Sequence, residues 1–120
     1  KLEDSVRGSD LIIICTTLSS YASIIKKIIP HISKGTIISD VGSAKEKTIN
    51  EIIPLLSNDD IFIPAHPIAG TEKSGPSAGF AELFNDRWCI ITPLKNNKKS
   101  HIIYKTTINC TILVLMSLNV

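Results

Sequence analysis

Four short apolar runs are spaced along the chain, and two longer segments between them repeat their apolar residues with a helical period. The runs are rich in β-branched residues, which is typical of strands buried on both faces of a parallel sheet. The predicted strands are Leu11–Cys15, Thr36–Ile38, Ile61–Ile63 and Trp88–Thr92. The predicted helices, with lysines or other polar residues on the opposite face, are Tyr21–Ile29 and Lys45–Leu56.

Serine and proline residues predict where the helices begin and end. Ser19 or Ser20 can cap the first helix, because a serine hydroxyl satisfies a backbone N–H that the first turn leaves unpaired. Pro30 closes that helix or lies in its last turn. Pro54 conflicts with the helical pattern around it, so the second helix is expected to stop or kink near Ile53.

Strands that alternate with helices in this way form βαβ units, which predicts an α/β fold with a parallel sheet. After the third strand we expect a long loop over residues 65–78 and a short helical piece around Ala78–Phe84. The pattern weakens after Pro93, and Ile108–Val120 is predicted as one more strand or an irregular end. We therefore expect a sheet-forming domain over residues 1–95 and a divergent tail over 96–120.

The composition predicts a folded domain without a strongly charged partner. The chain has 120 residues, 43% of them apolar and 20% charged, which is enough for one domain with a real core. The net charge of +2 is too small to indicate a nucleic-acid partner, and the basic run Lys95–Lys99 is expected to be a solvated loop. The longest apolar stretch, Ile112–Met116, is far shorter than the roughly 20 residues that span a bilayer.

The three cysteines, Cys15, Cys89 and Cys110, are scattered and lack a Cys-x-x-Cys spacing. This pattern argues against a disulfide framework and against a metal site. Cys15 and Cys89 lie in apolar runs, where a thiol usually serves as a small core residue. A reducing cytoplasm is the simplest compartment for such a chain.

A loop with a glycine and a hydroxyl follows the second strand, with the sequence Asp40-Val41-Gly42-Ser43-Ala44-Lys45. Gly42 permits a close approach of the backbone, and Ser43 offers a hydroxyl at the mouth of a helix. The alternative is that Ser43 only caps a helix that starts at Ala44, with Lys45 a solvated helix residue.

A histidine follows the third strand. His66 is placed on a turn with Pro67 and Gly70, and the carboxylate of Glu72 comes six residues after it. An unperturbed histidine pKa of about 6.5 suits proton abstraction near neutral pH. Because the carboxyl ends of parallel strands share one edge, His66 and Ser43 are expected to lie there together with Glu72 as an acid–base set.

The first strand ends at the same predicted edge. Its last residues, Cys15, Thr16 and Thr17, are explained equally well as a cofactor contact or as a polar turn.

Four blocks of this sequence carry a family resemblance in their order and spacing. They are Asp40–Lys45, His66–Gly75, Ala78–Phe84 and Arg87–Pro93. Together they resemble the prephenate and arogenate dehydrogenases over about residues 8–95, and the histidine block is the most specific part. The resemblance implies a Rossmann-type nucleotide-binding domain, NAD or NADP as cofactor, and oxidative decarboxylation of prephenate to 4-hydroxyphenylpyruvate, a step toward tyrosine.

The resemblance also implies roles for individual residues. His66 would accept the proton of the ring hydroxyl as hydride leaves the same carbon, and Ser43 would bond that hydroxyl or the imidazole. Glu72 would shape or gate the substrate pocket, and Gly70 and Thr71 would position the loop against substrate. Cofactor contacts would come from the ends of the first two strands, at Cys15, Thr16, Thr17 and Gly42.

The sequence departs from the family pattern in one respect that affects function. It contains no Gly-x-Gly-x-x-Gly phosphate loop, nor the acidic or basic residue that selects NAD or NADP beyond that loop. We therefore expect an internal fragment of the domain, without its N-terminal βαβ half and without the helical domain through which the family dimerises. Such a fragment is expected to be inactive by itself.

Two other hypotheses remain open. A β-hydroxyacid-type dehydrogenase would share the nucleotide fold, but it usually relies on a lysine from a later helical domain and gives no reason for the His66 loop. A non-catalytic relic or binding module would keep the sheet without activity, and the missing phosphate loop and divergent tail favour it.

Overall fold

The computed structural model describes residues 1–57, 61–70, 78–92 and 94, with the backbone of 113–114. The strands within these ranges are β1 (Leu11–Ile14), β2 (Ile37–Asp40), β3 (Ile61–Ile63), β4 (Ala65–Pro67), β5 (Trp88–Ile91) and β6 (Leu113–Val114). The α-helices are α1 (Leu2–Ser5), α2 (Tyr21–Ile28) and α3 (Lys45–Ile52). Short 3₁₀ turns lie at Leu18–Ser20, Ile29–His31, Ile53–Leu55 and Ala81–Phe84.

The first three strands form a parallel sheet in the order β1-β2-β3. Ile38 in β2 is paired with Ile12 on one side and Phe62 on the other. The helices α2 and α3 connect successive strands of this sheet, as the βαβ pattern predicts. The parallel sheet expected from the sequence is therefore confirmed.

The helices cover one face of the parallel sheet. Tyr21, Ile25 and Ile28 of α2 recur at helical spacing, and all three are buried. They pack in one core cluster with Ile38 and Phe62 of the sheet. The amphipathic stripe of α2 thus provides much of the apolar contact on this face.

A second core cluster lies on the opposite face of the parallel sheet, formed by the residues that alternate along the strands with those of the first cluster. It contains Ile37 and Ile63 of the parallel sheet, packed with Ala65, Cys89 and Ile91. Because successive side chains of a strand point to opposite faces and both faces are covered here, β2 is buried along its whole length. The strand β1 differs, since Ile13 is 42% exposed and the expected burial on both faces is wrong there.

The chain leaves the parallel sheet at Pro64, which has no backbone N–H to continue a ladder. After it, β4 pairs antiparallel with β5, so residues 65–67 form a strand and the predicted loop is wrong at its start. The carbonyl of Pro64 accepts a hydrogen bond from the Thr92 N–H at 2.9 Å. The strand β5, expected to join the parallel sheet, instead belongs to a second sheet in the order β4-β5-β6.

Several other local predictions can be compared with the structure. The helix α3 ends at Ile52 and continues as a 3₁₀ turn that contains Pro54, which confirms the predicted stop. Ser20 occupies the N-cap of α2, but its hydroxyl donates to the Thr17 carbonyl at 2.7 Å, so the predicted capping bond is wrong. The basic loop predicted at Lys95–Lys99 lies outside the described residues, and so does Cys110.

Within the tail, predicted as one more strand or an irregular end, Leu113–Val114 form a two-residue strand that pairs parallel with β5. No helix in the described part of the chain is long and apolar enough to cross a membrane.

The core predicts that replacing two different phenylalanines by alanine lowers the free energy of unfolding by very different amounts. Phe62 is fully buried, whereas Phe84 is 38% exposed. We expect Phe62→Ala to lower the free energy of unfolding by about 3–5 kcal/mol, because it removes buried area and leaves a cavity. The matched control Phe84→Ala should cost about 1 kcal/mol or less. Urea denaturation followed by circular dichroism measures both, and equal losses would contradict the described core.

Candidate active site

The carboxylate of Asp40, at the carboxyl end of β2, is completely buried and hydrogen-bonded on both oxygens. Its Oδ2 accepts from the Lys45 ammonium at 2.5 Å and from the Gly42 N–H at 3.0 Å. Its Oδ1 accepts from the Ala65 N–H at 3.1 Å. The Lys45 Nζ also donates to the Ala65 carbonyl at 2.6 Å. One ion pair therefore joins the end of β2, the first residue of α3 and the first residue of β4.

Lys45 is not the solvated helix residue expected from the sequence. Its side chain is 15% exposed and forms a salt bridge with Asp40. Burial lowers the pKa of Lys45 from its ordinary value, and the hydrogen bond and charge of Asp40 oppose that shift. Removing one partner of such a pair typically costs about 3–5 kcal/mol, because the other charge is left buried without compensation.

His66 lies in the middle of β4, beside the loop that follows β2, and is half-buried. Its Nδ1 is 3.4 Å from the carbonyl oxygen of Val41, a long hydrogen bond. A carbonyl only accepts, so this contact assigns the proton to Nδ1 and leaves Nε2 unprotonated in the neutral ring. An unprotonated Nε2 is what a general base requires.

Ser43 is exposed in the same loop, two residues after Val41. The helix α3 begins at Lys45 with Ala44 as its N-cap and no capping side-chain bond, so the alternative role of Ser43 as a helix cap is wrong. Among the described residues, the Ser43 hydroxyl is not hydrogen-bonded to His66. His66 on β4 and Ser43 in the loop after β2 thus belong to different elements, and the imidazole contacts Val41 of that loop.

The end of β1 carries a small cluster of hydroxyls. The hydroxyl oxygens of Ser20 and Thr16 are 2.9 Å apart, within hydrogen-bond distance, and the hydroxyl oxygens of Thr17 and Ser19 are 3.3 Å apart. Thr16 and Thr17 are exposed. These neutral donors and acceptors can bond sugar hydroxyls or a carboxamide, and no ionic side chain belongs to this hydrogen-bonded group.

The two described cysteines differ in their surroundings. Cys89 is buried, which confirms it as a core residue, whereas Cys15 is exposed and its predicted core position is wrong. Partial desolvation, and then the nearby charge of Asp40, raise the pKa of the Cys15 thiol. Cys15 therefore contributes a neutral thiol at the end of β1.

Gly42 makes the close approach expected of it, but to side chains of this chain. A Cβ placed on Gly42 would lie 2.5 Å from Leu18 Cδ2 and 3.2 Å from the Tyr21 hydroxyl. It would also lie 3.1 Å from Asp40 Oδ2. The absence of a side chain at Gly42 therefore lets the loop after β2 pack against the start of α2.

Tyr21 is a site residue that the sequence did not indicate. It is buried, and its hydroxyl donates to the Ile14 carbonyl at 3.3 Å. Burial, and then the charge of Asp40, raise the pKa of Tyr21 to about 12. The helical period predicts that Tyr21 faces the core, but it does not show which polar groups its hydroxyl meets.

The remaining predicted residues belong to the segment after β4. Gly70 is exposed and has a φ of 151°, a conformation that side chains rarely adopt. Thr71 and Glu72 lie outside the described residues. The described part of the predicted acid–base set is therefore His66 and Ser43.

A family profile matches residues 2–111 of the chain, with the description "Prephenate dehydrogenase, nucleotide-binding domain". The chain belongs to the prephenate dehydrogenase family. The match extends on both sides of residues 8–95, where the four blocks place the resemblance. It covers the whole parallel sheet, all three α-helices and the β4–β5 pair.

Two curated relatives show how much of a prephenate dehydrogenase the chain represents. The cyclohexadienyl dehydrogenase of Zymomonas mobilis is 41% identical over 92 residues, which are 77% of this chain and 31% of the relative. The prephenate dehydrogenase of Lactococcus lactis is 30% identical over 94 residues, 77% of this chain and 27% of the relative. The chain thus spans about a third or less of these relatives.

Solved structures show the same fold. The prephenate dehydrogenase of Aquifex aeolicus superimposes with a TM-score of 0.78 and 28% identity over 98% of this chain and 42% of that chain. The same enzyme in complex with hydroxyphenyl propionate and NAD+ gives a TM-score of 0.78. An NAD-binding protein from Cupriavidus necator, 14% identical, shares the fold at a TM-score of 0.71. The predicted Rossmann-type α/β fold of this nucleotide-binding domain is confirmed.

The packing of Gly42 is testable by a double-mutant cycle. We expect Gly42→Ala to lower the free energy of unfolding by about 1–3 kcal/mol, because the added methyl overlaps Leu18. In a Leu18→Ala background the same substitution should cost at least about 0.5 kcal/mol less, since the overlapping atom is gone. Urea denaturation of the four chains measures the coupling, and an equal cost in both backgrounds would show that Leu18 is not the obstacle.

The raised pKa of Tyr21 predicts a loss of stability at alkaline pH. The ordinary tyrosine pKa is 10.0 and the folded-state pKa is about 12, so between these values the unfolded chain loses its proton first. The contribution of Tyr21 to the free energy of unfolding is therefore fully present below pH 10. It falls as the pH rises above 10, by at most about 1.4 kcal/mol per pH unit. Tyr21→Phe should remove this contribution in denaturant titrations between about pH 9 and 11. If the free energy of unfolding fell equally steeply with pH in wild type and Tyr21→Phe, the prediction would be refuted. Cysteine ionisation does not confuse the comparison, because it is common to both chains.

Proposed function

We propose that this chain carries the catalytic base of an NAD(P)-dependent prephenate dehydrogenase, which oxidatively decarboxylates prephenate to 4-hydroxyphenylpyruvate in tyrosine biosynthesis. The observation that carries the proposal is His66, whose Nδ1 faces the Val41 carbonyl at 3.4 Å and whose Nε2 is thereby left to accept a proton. The family membership and the edge position of the histidine both support this role.

The proposed chemistry begins at the ring hydroxyl of the substrate. His66 Nε2 accepts the hydroxyl proton while the hydride departs from the same carbon and the carboxyl group leaves as carbon dioxide. Ser43 bonds the reacting oxygen, since its hydroxyl is exposed and not engaged as a helix cap. When bound, oxidised nicotinamide supplies the hydride acceptor. Arogenate is the alternative substrate, and Gly70, Thr71 and Glu72 are the residues we assign to substrate contact.

The end of β1 fits one part of a nicotinamide dinucleotide. The exposed hydroxyls of Thr16 and Thr17 suit a ribose or carboxamide, and Gly42 and Cys15 line the same edge. NAD+ is bound in the Aquifex aeolicus structure, which supports this class of cofactor. The sequence offers no glycine-rich loop for a pyrophosphate, so we propose that the 120 residues alone do not turn over. Residues 1–95 would form the second half of a Rossmann domain. The complete enzyme to which they belong would be a cytoplasmic homodimer.

The test places this segment in a complete enzyme. A chimaera would carry the residues of this chain in place of the aligned 92-residue segment of the Zymomonas mobilis enzyme. We expect it to oxidise prephenate or arogenate with NAD+ or NADP+, each pair assayed by absorbance of the reduced cofactor. His66→Asn in the chimaera should lower kcat about 10²–10⁴-fold with a small change in KM, because only proton transfer is lost.

A matched control is available at His31, a partly exposed histidine whose Nδ1 contacts Arg7 at 2.9 Å. His31→Asn should leave kcat unchanged. An unchanged kcat in His66→Asn would remove His66 from the role of base. Turnover by the isolated 120-residue chain, abolished by His66→Asn, would contradict the proposed need for a phosphate loop, while a folded chimaera without activity would favour a non-catalytic relic.

A further inference from the structure

The Asp40–Lys45 ion pair holds the residue before His66 from both sides. The Ala65 N–H donates to Asp40 Oδ1 at 3.1 Å, and the Ala65 carbonyl accepts from Lys45 Nζ at 2.6 Å. That carbonyl belongs to the same planar peptide group as the His66 nitrogen. The Lys45 ammonium therefore holds one side of the peptide that carries the imidazole, in addition to the pairing of His66 with Ile90 in the β4–β5 ladder.

The same carboxylate also holds the group that faces the imidazole ring. Asp40 Oδ2 accepts from the Gly42 N–H at 3.0 Å, which turns the backbone immediately after β2. Val41 lies inside this turn, and its carbonyl is the partner of His66 Nδ1. One buried carboxylate thus bonds the backbone residue next to each member of the histidine contact, Gly42 beside Val41 and Ala65 beside His66.

We infer that the Asp40–Lys45 pair is the positioning device for His66, which holds the imidazole against Val41 in the tautomer that leaves Nε2 unprotonated. This inference rests on the proposed function for its catalytic meaning. Asp40 and Lys45 act through Ala65 and Val41, and neither is assigned contact with the reacting atoms.

The competing explanation is that the pair only stabilises the fold. A buried ion pair can often be replaced by neutral side chains of similar size with little change in stability, whereas removal of one partner is costly. The double variant Asp40→Asn/Lys45→Met therefore separates the two roles. It removes both charges together, keeps similar side-chain volumes, and takes away the ammonium that orients the Ala65 carbonyl.

The experiment uses the isotopically labelled 120-residue chain and needs neither substrate nor cofactor. Long-range proton–nitrogen spectra at about pH 8.5, where histidine is mostly neutral, give the tautomer of His66. Hydrogen exchange gives the protection of the Ala65 amide relative to that of Ile25 inside α2. Wild type should show the proton on Nδ1 and a protected Ala65 amide. The control is Lys47→Met on the same helix, because the ion pair that Lys47 forms within the described residues, with Glu51 at 3.9 Å, is exposed.

In Lys45→Met and in the double variant, we expect the proton to move toward Nε2. The ratio of Ala65 to Ile25 exchange rates should rise at least about tenfold, as expected for local opening. The control should match wild type. A folded double variant with the wild-type tautomer and Ala65 protection would overturn the inference, because the pair would then be a stability device only.

Two further outcomes are decided by wild type alone. A wild-type imidazole with its proton on Nε2 overturns the inference whether or not the variants fold. If the variants do not fold, the wild-type spectra still test the hydrogen bond from Lys45 Nζ to the Ala65 carbonyl. A scalar coupling between Lys45 Nζ and the Ala65 carbonyl carbon, found together with the Nδ1 tautomer, supports the inference. The absence of that coupling overturns the inference. Because these measurements need no turnover, an inactive chimaera with this His66 geometry would refute the proposed function and leave the inference standing.

Discussion

The arrangement of the site depends on one carboxylate that cannot reach water. Asp40 is fully buried, yet it accepts three hydrogen bonds from groups on three different parts of the chain. A charge in such a place is tolerated only when its partners are fixed, so the loop after β2, the start of α3 and the start of β4 must keep their relative positions. Local flexibility at any of these points would expose an unpaired charge.

Much of the fold could be predicted because burial in a parallel sheet leaves a strong local signal. The isoleucine-rich β2 and the stripe of α2 are each explained by residues close to one another in sequence. The exposure of Ile13 could not be predicted, since it depends on what lies across the sheet from β1. Residues 65–67 gave no strand signal because two of the three are His66 and Pro67, and their pairing with β5 is a non-local contact.

The site was only partly predictable for the same reason. The rule that parallel strands share a carboxyl edge brought the loop of Ser43 near His66 without any knowledge of side-chain geometry. Lys45 was misassigned as solvated because a lysine on a polar helix start is usually exposed, and only the spatial position of Ala65 explains its burial. The roles of Gly42 and Tyr21 depend likewise on packing between elements, which a linear pattern does not encode.

Pro64 has a consequence for how His66 and Asp40 keep their relative positions. It separates β3, which belongs to the parallel sheet, from β4, which belongs to the second sheet. Asp40 and His66 are therefore held by different sheets. The two sheets meet in the second core cluster, where Ala65, which is 1% exposed, packs with Ile37 and Ile63 of the parallel sheet and with Cys89 and Ile91 of β5. A change that shifts the Pro64–Ala65 junction would therefore move His66 relative to Asp40 even if the strands of both sheets stayed paired.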